Sequence, residues 1–266
     1  MINVTRSSGV QPGIASTVAA QADIGGVPAN MGKVSVVIPA LNEEATIGSL
    51  VAEIFESLPR EFIRECIVTD NGSTDKTAER ARTAGAVVVS EPRRGYGQAC
   101  ASGAAHADAQ SRVVVFLDGD GSDVPAEIAM VAAPILEGRY DFVIGSRLRG
   151  QREPGSLLIS QVFAGWLAGT AMRLLYGVRY TDMAPLRAIS VAAFAQLQMT
   201  EMTYGWNLEM QMKAARHNLR ILELPTTCRC RRGGVSKVAG SFTGSIKAAY
   251  RIMFVLVRIA VTKRSR

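Results

Sequence analysis

The chain has 266 residues, 48% of them hydrophobic, with 30 Lys and Arg against 23 Asp and Glu and a formal net charge of +7. A mean hydropathy of +0.14 excludes a wholly disordered chain, and a pI of about 9.5 points to an anionic partner such as a phosphate substrate or an acidic membrane surface. Zinc-finger spacing and RNA-binding motifs are not found, so nucleic acid is not expected as that partner.

Residues 1–31 are Ser, Ala, Gly and Gln with scattered apolar residues and no continuous apolar segment, and read as a disordered tail without a signal peptide. Val34 to Pro39 reads as a strand stopped by proline. Asn42 is placed as the N-cap of a following helix with Glu43 and Glu44 in its first turn. Cys66 to Thr69 is a second strand ending on Asp70, then come a turn over Asn71–Asp75 and a helix through Ala78 and Ala84. Ala86 to Val89 is a third strand, and Gly95-Tyr96-Gly97 leads into a small-residue helix from Gln98 to Ala109. This alternation predicts a doubly wound α/β sheet.

The stretch Val113-Val114-Val115-Phe116-Leu117-Asp118-Gly119-Asp120 follows. An unbroken β-branched and aromatic run reads as a buried parallel strand. Open α/β sheets bind ligands at the carboxyl ends of their strands, which is where Asp118 and Asp120 fall. Two hard oxygen ligands on a short turn suit Mg²⁺ or Mn²⁺ carried by a diphosphate.

Beyond the acids, Asp123 is placed as the cap of another helix, and Asp141 to Ile144 is a strand running into Gly145-Ser146-Arg147. Leu157 to Met172 carries no charge but is shorter than the roughly 20 residues that span a bilayer. It reads as a core helix or one lying in a membrane interface. Leu208 to Ala215 is helical, and Arg220 to Pro225 a late strand. Ser241 to Val261 has helical spacing, with Lys247, Arg251 and Arg258 on one face beside apolar residues, as in a basic helix lying on an anionic membrane. Four cysteines, without a zinc-site pattern, read as reduced thiols. His106 and His217 read as structural or surface residues.

Four segments occur in order: Val36-Val37-Ile38-Pro39-Ala40-Leu41-Asn42-Glu43-Glu44, Asp70-Asn71-Gly72-Ser73-Thr74-Asp75-Lys76-Thr77, Asp118-Gly119-Asp120 and Gly145-Ser146-Arg147. The set resembles the family 2 nucleotide-sugar glycosyltransferases, and with Arg231-Arg232-Gly233-Gly234-Val235-Ser236-Lys237 it looks most like the polyprenyl-phosphate (dolichyl-phosphate) mannosyl- and glucosyltransferases. The resemblance covers roughly residues 33–240. It implies a GT-A fold over residues 32–240, to which the helical spacing of the last segment adds residues 241–266 as a basic amphipathic helix. Three departures stand out: Asn71 replaces the usual second acid, Ser122 a common glutamine, and Met183-Ala184-Pro185-Leu186-Arg187 a Gly-Phe-bearing segment.

The resemblance implies a UDP- or GDP-sugar donor lined by Pro39, Ala40, Asn42, Glu43 and Asp70. It implies Asp118 and Asp120 on the metal, and Arg147, Arg231, Ser236 and Lys237 on phosphate. Asp182 is expected to position the acceptor or an arginine. The expected reaction is inverting hexosyl transfer to a polyprenyl phosphate by a protein on the cytoplasmic face of the membrane. A lipid phosphate is already a nucleophile, whereas a hydroxyl acceptor needs a general base, for which Glu209 or Asp182 is the candidate. The rivals are therefore transfer to a saccharide or small phosphorylated acid, and a catalytically weak nucleotide-sugar-binding partner protein.

Overall fold

The computed structural model describes residues 34–233 together with Phe254 and Arg258. The N-terminal tail, Ser236, Lys237, Lys247 and Arg251 lie outside the described residues.

Seven strands form one sheet: β1 (Val34–Ala40), β2 (Ile63–Asp70), β3 (Val87–Ser90), β4 (Val113–Phe116), β5 (Phe142–Ser146), β6 (Arg187–Ser190) and β7 (Ile221–Pro225). Their order is β3-β2-β1-β4-β6-β5-β7. All pairings are parallel except those of β6, which runs against both β4 and β5. The connecting helices are α1 (Ile47–Ser57), α2 (Thr77–Thr83), α3 (Tyr96–Ala105), α4 (Ile128–Leu136), α5 (Ile159–Tyr176), α6 (Val191–Leu197) and α7 (Trp206–Arg216).

The two-residue period of the strands splits the core in two. Val34, Val36, Ile38, Val113 and Val115 pack with Leu50, Ile54, Ile128 and Ile135 of α1 and α4. Val37, Val114 and Phe116 face the other way, against Cys100, Ala168, Met172, Trp206 and Met210 of α3, α5 and α7. Both faces are covered, which is why the central strands read as continuous apolar runs rather than alternating ones.

Register places the carboxyl ends together, with Ala40 opposite Asp70 and Asp70 opposite Ser90. Because β6 is reversed, its first residue, Arg187, sits opposite Phe116 and Ile144 at that same edge. The sheet is therefore the mostly parallel one expected, with a single antiparallel insertion that the sequence reading does not contain. Neither β6 nor α6 was expected.

Two expected caps fall elsewhere. Asn42 has φ 51° and lies four residues before Thr46, the residue at the start of α1. Its amide instead holds the neighbouring loop: its N–H donates to Ser73 Oγ, and its Oδ1 accepts from the Thr74 N–H at 2.8 Å. Asp123 precedes the short turn Pro125–Glu127 without capping it, and is buried beside the other acids.

Candidate active site

Chain path alone brings three carboxylates together where β4 ends. Asp120 is 7% exposed and Asp123 3% exposed, and the Asp118 N–H donates to Asp123 Oδ2 at 3.2 Å. Asp120 Oδ1 accepts from the Ser122 N–H at 2.9 Å, which closes the loop on itself. Burial and, next to it, the Asp120 charge push the Asp118 carboxyl up to about 7. Burial, with the charges of Asp118 and Asp120, pushes Asp123 upward as well. The sequence reading did not count Asp123 as a site residue, although a third acid five positions after Asp118 was a legible signal.

Asp118 Oδ1 is buried without a hydrogen-bond partner. Two like charges held this close, one of them with an unused oxygen, are the chemistry that a divalent cation relieves. Among the described residues no cluster of three His, Cys, Asp or Glu side chains could hold a metal. Asp118 and Asp120 thus fit a cation that brings its remaining ligands with it, as a diphosphate and waters would.

Two arginines face the acids. Arg231 bridges Asp120 Oδ2 at 2.9 Å and Glu43 Oε1 at 3.3 Å. It reaches in from a strap that continues β7 over the acid loop. The strap is stitched there by the Arg229 N–H to Ser122 O at 2.9 Å and the Arg232 N–H to Asp120 O at 3.1 Å. Arg229 and Arg232 also grip the two oxygens of Glu53 on α1, each at 2.8 Å.

Arg147, just past β5, is clamped by Asp182 through Nε and Nη2, both at 2.8 Å. Burial works against the arginine's charge, yet the hydrogen bonds and charge of Asp182 hold its pKa above the ordinary value. Burial would raise Asp182, but Arg147 holds it below the usual carboxylate range. Of the expected roles for Asp182, positioning an arginine is the one that the geometry realises.

Among the residues expected to line the nucleotide, Ala40 and Asp70 lie at adjacent strand ends, and Asp70 Oδ1 accepts from the Ser73 N–H at 2.9 Å. Pro39 is the preceding residue of β1, and its carbonyl lies against Gly119. Asn71 follows at the end of β2. Its Nδ2 donates to the carbonyls of Glu91 and Arg93, and its Oδ1 accepts from the Gly95 N–H. A carboxylate cannot donate, so the departure from the family's acid is the residue that this three-way clasp requires.

Three other arginines have partners of their own. Arg93 pairs with Glu91 at 2.8 Å, Arg149 donates to Glu223 O at 2.7 Å, and Arg232 belongs to Glu53. Glu209 is neither a helix-surface residue nor an available base. It is 0% exposed and accepts from the Thr200 and Glu201 N–H groups and from Thr200 Oγ1. It also meets Lys213 at 3.1 Å and Arg258 at 3.2 Å. Arg258, expected on an outward basic face, is therefore turned to buried carboxylates.

Comparison with known proteins agrees with this layout. The family model for glycosyl transferase family 2 matches residues 35–197. An uncharacterized glycosyltransferase of Mycobacterium tuberculosis is 36% identical over 217 residues, 81% of this chain and 94% of the relative. The undecaprenyl-phosphate mannosyltransferase of Micrococcus luteus is 26% identical over 227 residues, 80% of this chain and 90% of the relative. Among solved structures, glucosyl-3-phosphoglycerate synthase of M. tuberculosis, in complex with Mn²⁺, UDP-glucose and glycerol 3-phosphate, aligns with a TM-score of 0.70 at 25% identity, covering 88% of this chain and 82% of that one. With the acid-bearing end of β4, the arginine clamp beside it and most of the catalytic sheet inside the matched span, the chain belongs to glycosyl transferase family 2.

Proposed function

We propose that this glycosyltransferase moves a hexosyl group from a UDP- or GDP-sugar to a polyprenyl phosphate, with Mg²⁺ or Mn²⁺ on the donor diphosphate. The observation that carries the reading is the state of the two carboxylates that a hydroxyl acceptor would need. Asp182 is spent on Arg147 and Glu209 is sealed inside the fold. A phosphate acceptor needs no base, only cations that offset its repulsion from the donor diphosphate. Arg147 and Arg231 supply such charge, and a guanidinium suits phosphate oxygens in pairs.

In this reading Pro39, Ala40, Asn42, Glu43 and Asp70 line the nucleotide, while Asp118 and Asp120 hold the cation. When bound, the cation neutralises charge that develops on the departing diphosphate. Arg147, held rigid by Asp182, orients the acceptor phosphate. One of that phosphate's oxygens forms the new bond to the anomeric carbon as the bond to the nucleoside diphosphate breaks, in line and with inversion. Ser236 and Lys237 extend the phosphate-binding set, and the protein works at the cytoplasmic membrane face. The polyprenyl-phosphate relative supports the lipid acceptor. The structural neighbour bound to glycerol 3-phosphate supports a second reading, a small phosphorylated acceptor.

One assay separates them. Purified protein is given labelled UDP-glucose or GDP-mannose with undecaprenyl phosphate, glycerol 3-phosphate or 3-phosphoglycerate, and the products are split between organic solvent and water. The lipid reading expects label in the organic phase, lost with EDTA and in an Asp120→Ala variant that still unfolds cooperatively. Label confined to a water-soluble product would replace it with the second reading.

A further inference from the structure

The buried face of α5 carries Gly165, Ala168, Gly169 and Met172. Gly169 lets the helix lie directly on the segment beyond it, since a Cβ there would come within 2.2 Å of the Tyr180 carbonyl. Gly165 lies over Thr181 and Asp182. The opposite face is fixed by that contact. Phe163, Trp166, Leu167 and Leu174 follow one another at helical spacing and point away from the protein. Phe163 and Trp166 are each 60% exposed and Leu174 is 82% exposed, and the two aromatic rings lie 5.8 Å apart. Exposed large side chains gathered in one stripe mark an interaction surface rather than ordinary surface scatter.

The charges around the stripe select its occupant. From Pro154 to Thr181 the sequence holds no Asp or Glu, while Arg173 and Arg179 are exposed at the carboxyl end of α5. Aromatic and aliphatic side chains rimmed by arginine and free of acids match the boundary between anionic headgroups and acyl chains. A second copy of this chain fits less well, because a contact of α5 on itself would gather the arginines of both copies into one interface with no local acid to pair them.

We infer that α5, rather than the C-terminal segment alone, seats the protein on an anionic lipid surface through Phe163, Trp166, Leu167 and Leu174. The choice of a lipid occupant rests on the proposed lipid acceptor. The placement explains how such an acceptor would arrive. The inner face of α5 rests on the residues that clamp Arg147, so the lipid boundary lies about one helix diameter, roughly 10 Å, from the phosphate-binding arginine.

The chain's two tryptophans make the test specific, because Trp166 is exposed whereas Trp206 is 0% exposed. Vesicles of phosphatidylglycerol with brominated acyl chains should quench the wild-type emission, and should leave the Trp166→Phe variant, which reports Trp206 alone, unquenched. A Trp166→Glu, Leu174→Glu double variant should bind such vesicles at least about tenfold more weakly at an unchanged Tm. Three results would overturn the inference: no quenching of Trp166, full vesicle binding by the double variant, or a Trp166 blue shift that grows with protein concentration without vesicles. Failure here remains distinct from failure of the acceptor reading. Organic-soluble product with no quenching condemns only this surface, and quenching with a solely water-soluble product condemns only the lipid acceptor.

Discussion

The resemblance puts Arg231 on phosphate, but its partners in the fold were not legible in the sequence. Its contacts are Asp120 and Glu43, which lie more than a hundred residues away in the chain. The guanidinium holds the carboxylate oxygen that a divalent cation would also seek. On the proposed reading Arg231 and the cation compete for Asp120, and occupancy by the cation would free the arginine for phosphate. Removing a positive charge a few ångströms from a cation is worth at least a factor of ten even in a well-screened setting. Arg231→Met should accordingly bind Mn²⁺ on the order of tenfold more tightly than the native protein without nucleotide, read by electron paramagnetic resonance of free Mn²⁺. Equal affinities would mean that arginine and metal use Asp120 without excluding one another. Asn71 teaches the complementary lesson. Seen in sequence it was a departure from a motif, and only the positions of Glu91, Arg93 and Gly95 show that the site needs an amide there.

At the scale of elements, legibility followed apolar pattern. β1 and β4 were plain because both of their faces are buried. β6 was not, because its four residues open with Arg187, a charge that is 0% exposed and held by the carbonyls of Ala184 and Asn207. Sequence reasoning assigns such a residue to the surface. Helix packing is equally hidden, as two glycines show. At Gly97 in α3 an added Cβ would sit 2.4 Å from the Glu201 carbonyl, whereas at Gly48 in α1 the nearest atom would be 3.6 Å away. The same substitution should then have opposite signs. Gly97→Ala should cost about 1–3 kcal/mol by pushing α3 off the segment before α7. Gly48→Ala should gain about 0.5–1 kcal/mol from the lower entropy of its unfolded chain. Urea unfolding of both variants measures this, and a stabilised Gly97→Ala would contradict the packing described.

For the whole molecule, the acid cluster ties stability to pH and to cations. Asp118 titrates near 7 in the fold, and Asp123 is also raised above its ordinary range. Both groups hold protons in the folded state at pH values where the unfolded chain has released them. The share of the cation-free protein's stability that comes from Asp118 should therefore be fullest below about pH 4 and be lost as pH rises through about 7, with Asp123 acting in the same direction. A divalent cation favours the ionised form and should offset that loss. The rise in Tm caused by Mn²⁺ should be larger at pH 8 than at pH 5.5, by differential scanning fluorimetry. An equal rise at both values would remove Asp118 and Asp123 from the cation's surroundings. The doubly wound fold that carries this cluster was foreseeable, since apolar strands alternate with helices, but its strand order was not. The pairing of Arg147 with Asp182, 35 residues apart, was not, because it depends on the reversed strand.

That reversal has a bearing on how such a protein can be rebuilt. A parallel crossover would carry the chain to the far edge of the sheet before returning it. With β6 antiparallel, the segment from Arg147 to Leu186 departs and re-enters at the edge that holds Asp118 and Asp120. Its length is spent outside the sheet. Besides the Arg147–Asp182 clamp, the segment is tied to the strap after β7 by the backbone hydrogen bonds of Gln151 and Glu153 with Cys228, and to β7 by Arg149 and Glu223, so those contacts are what any replacement segment has to keep. A replacement that keeps them should leave β1, β2 and β4 in register, because the pairings of those three strands involve no residue of the segment.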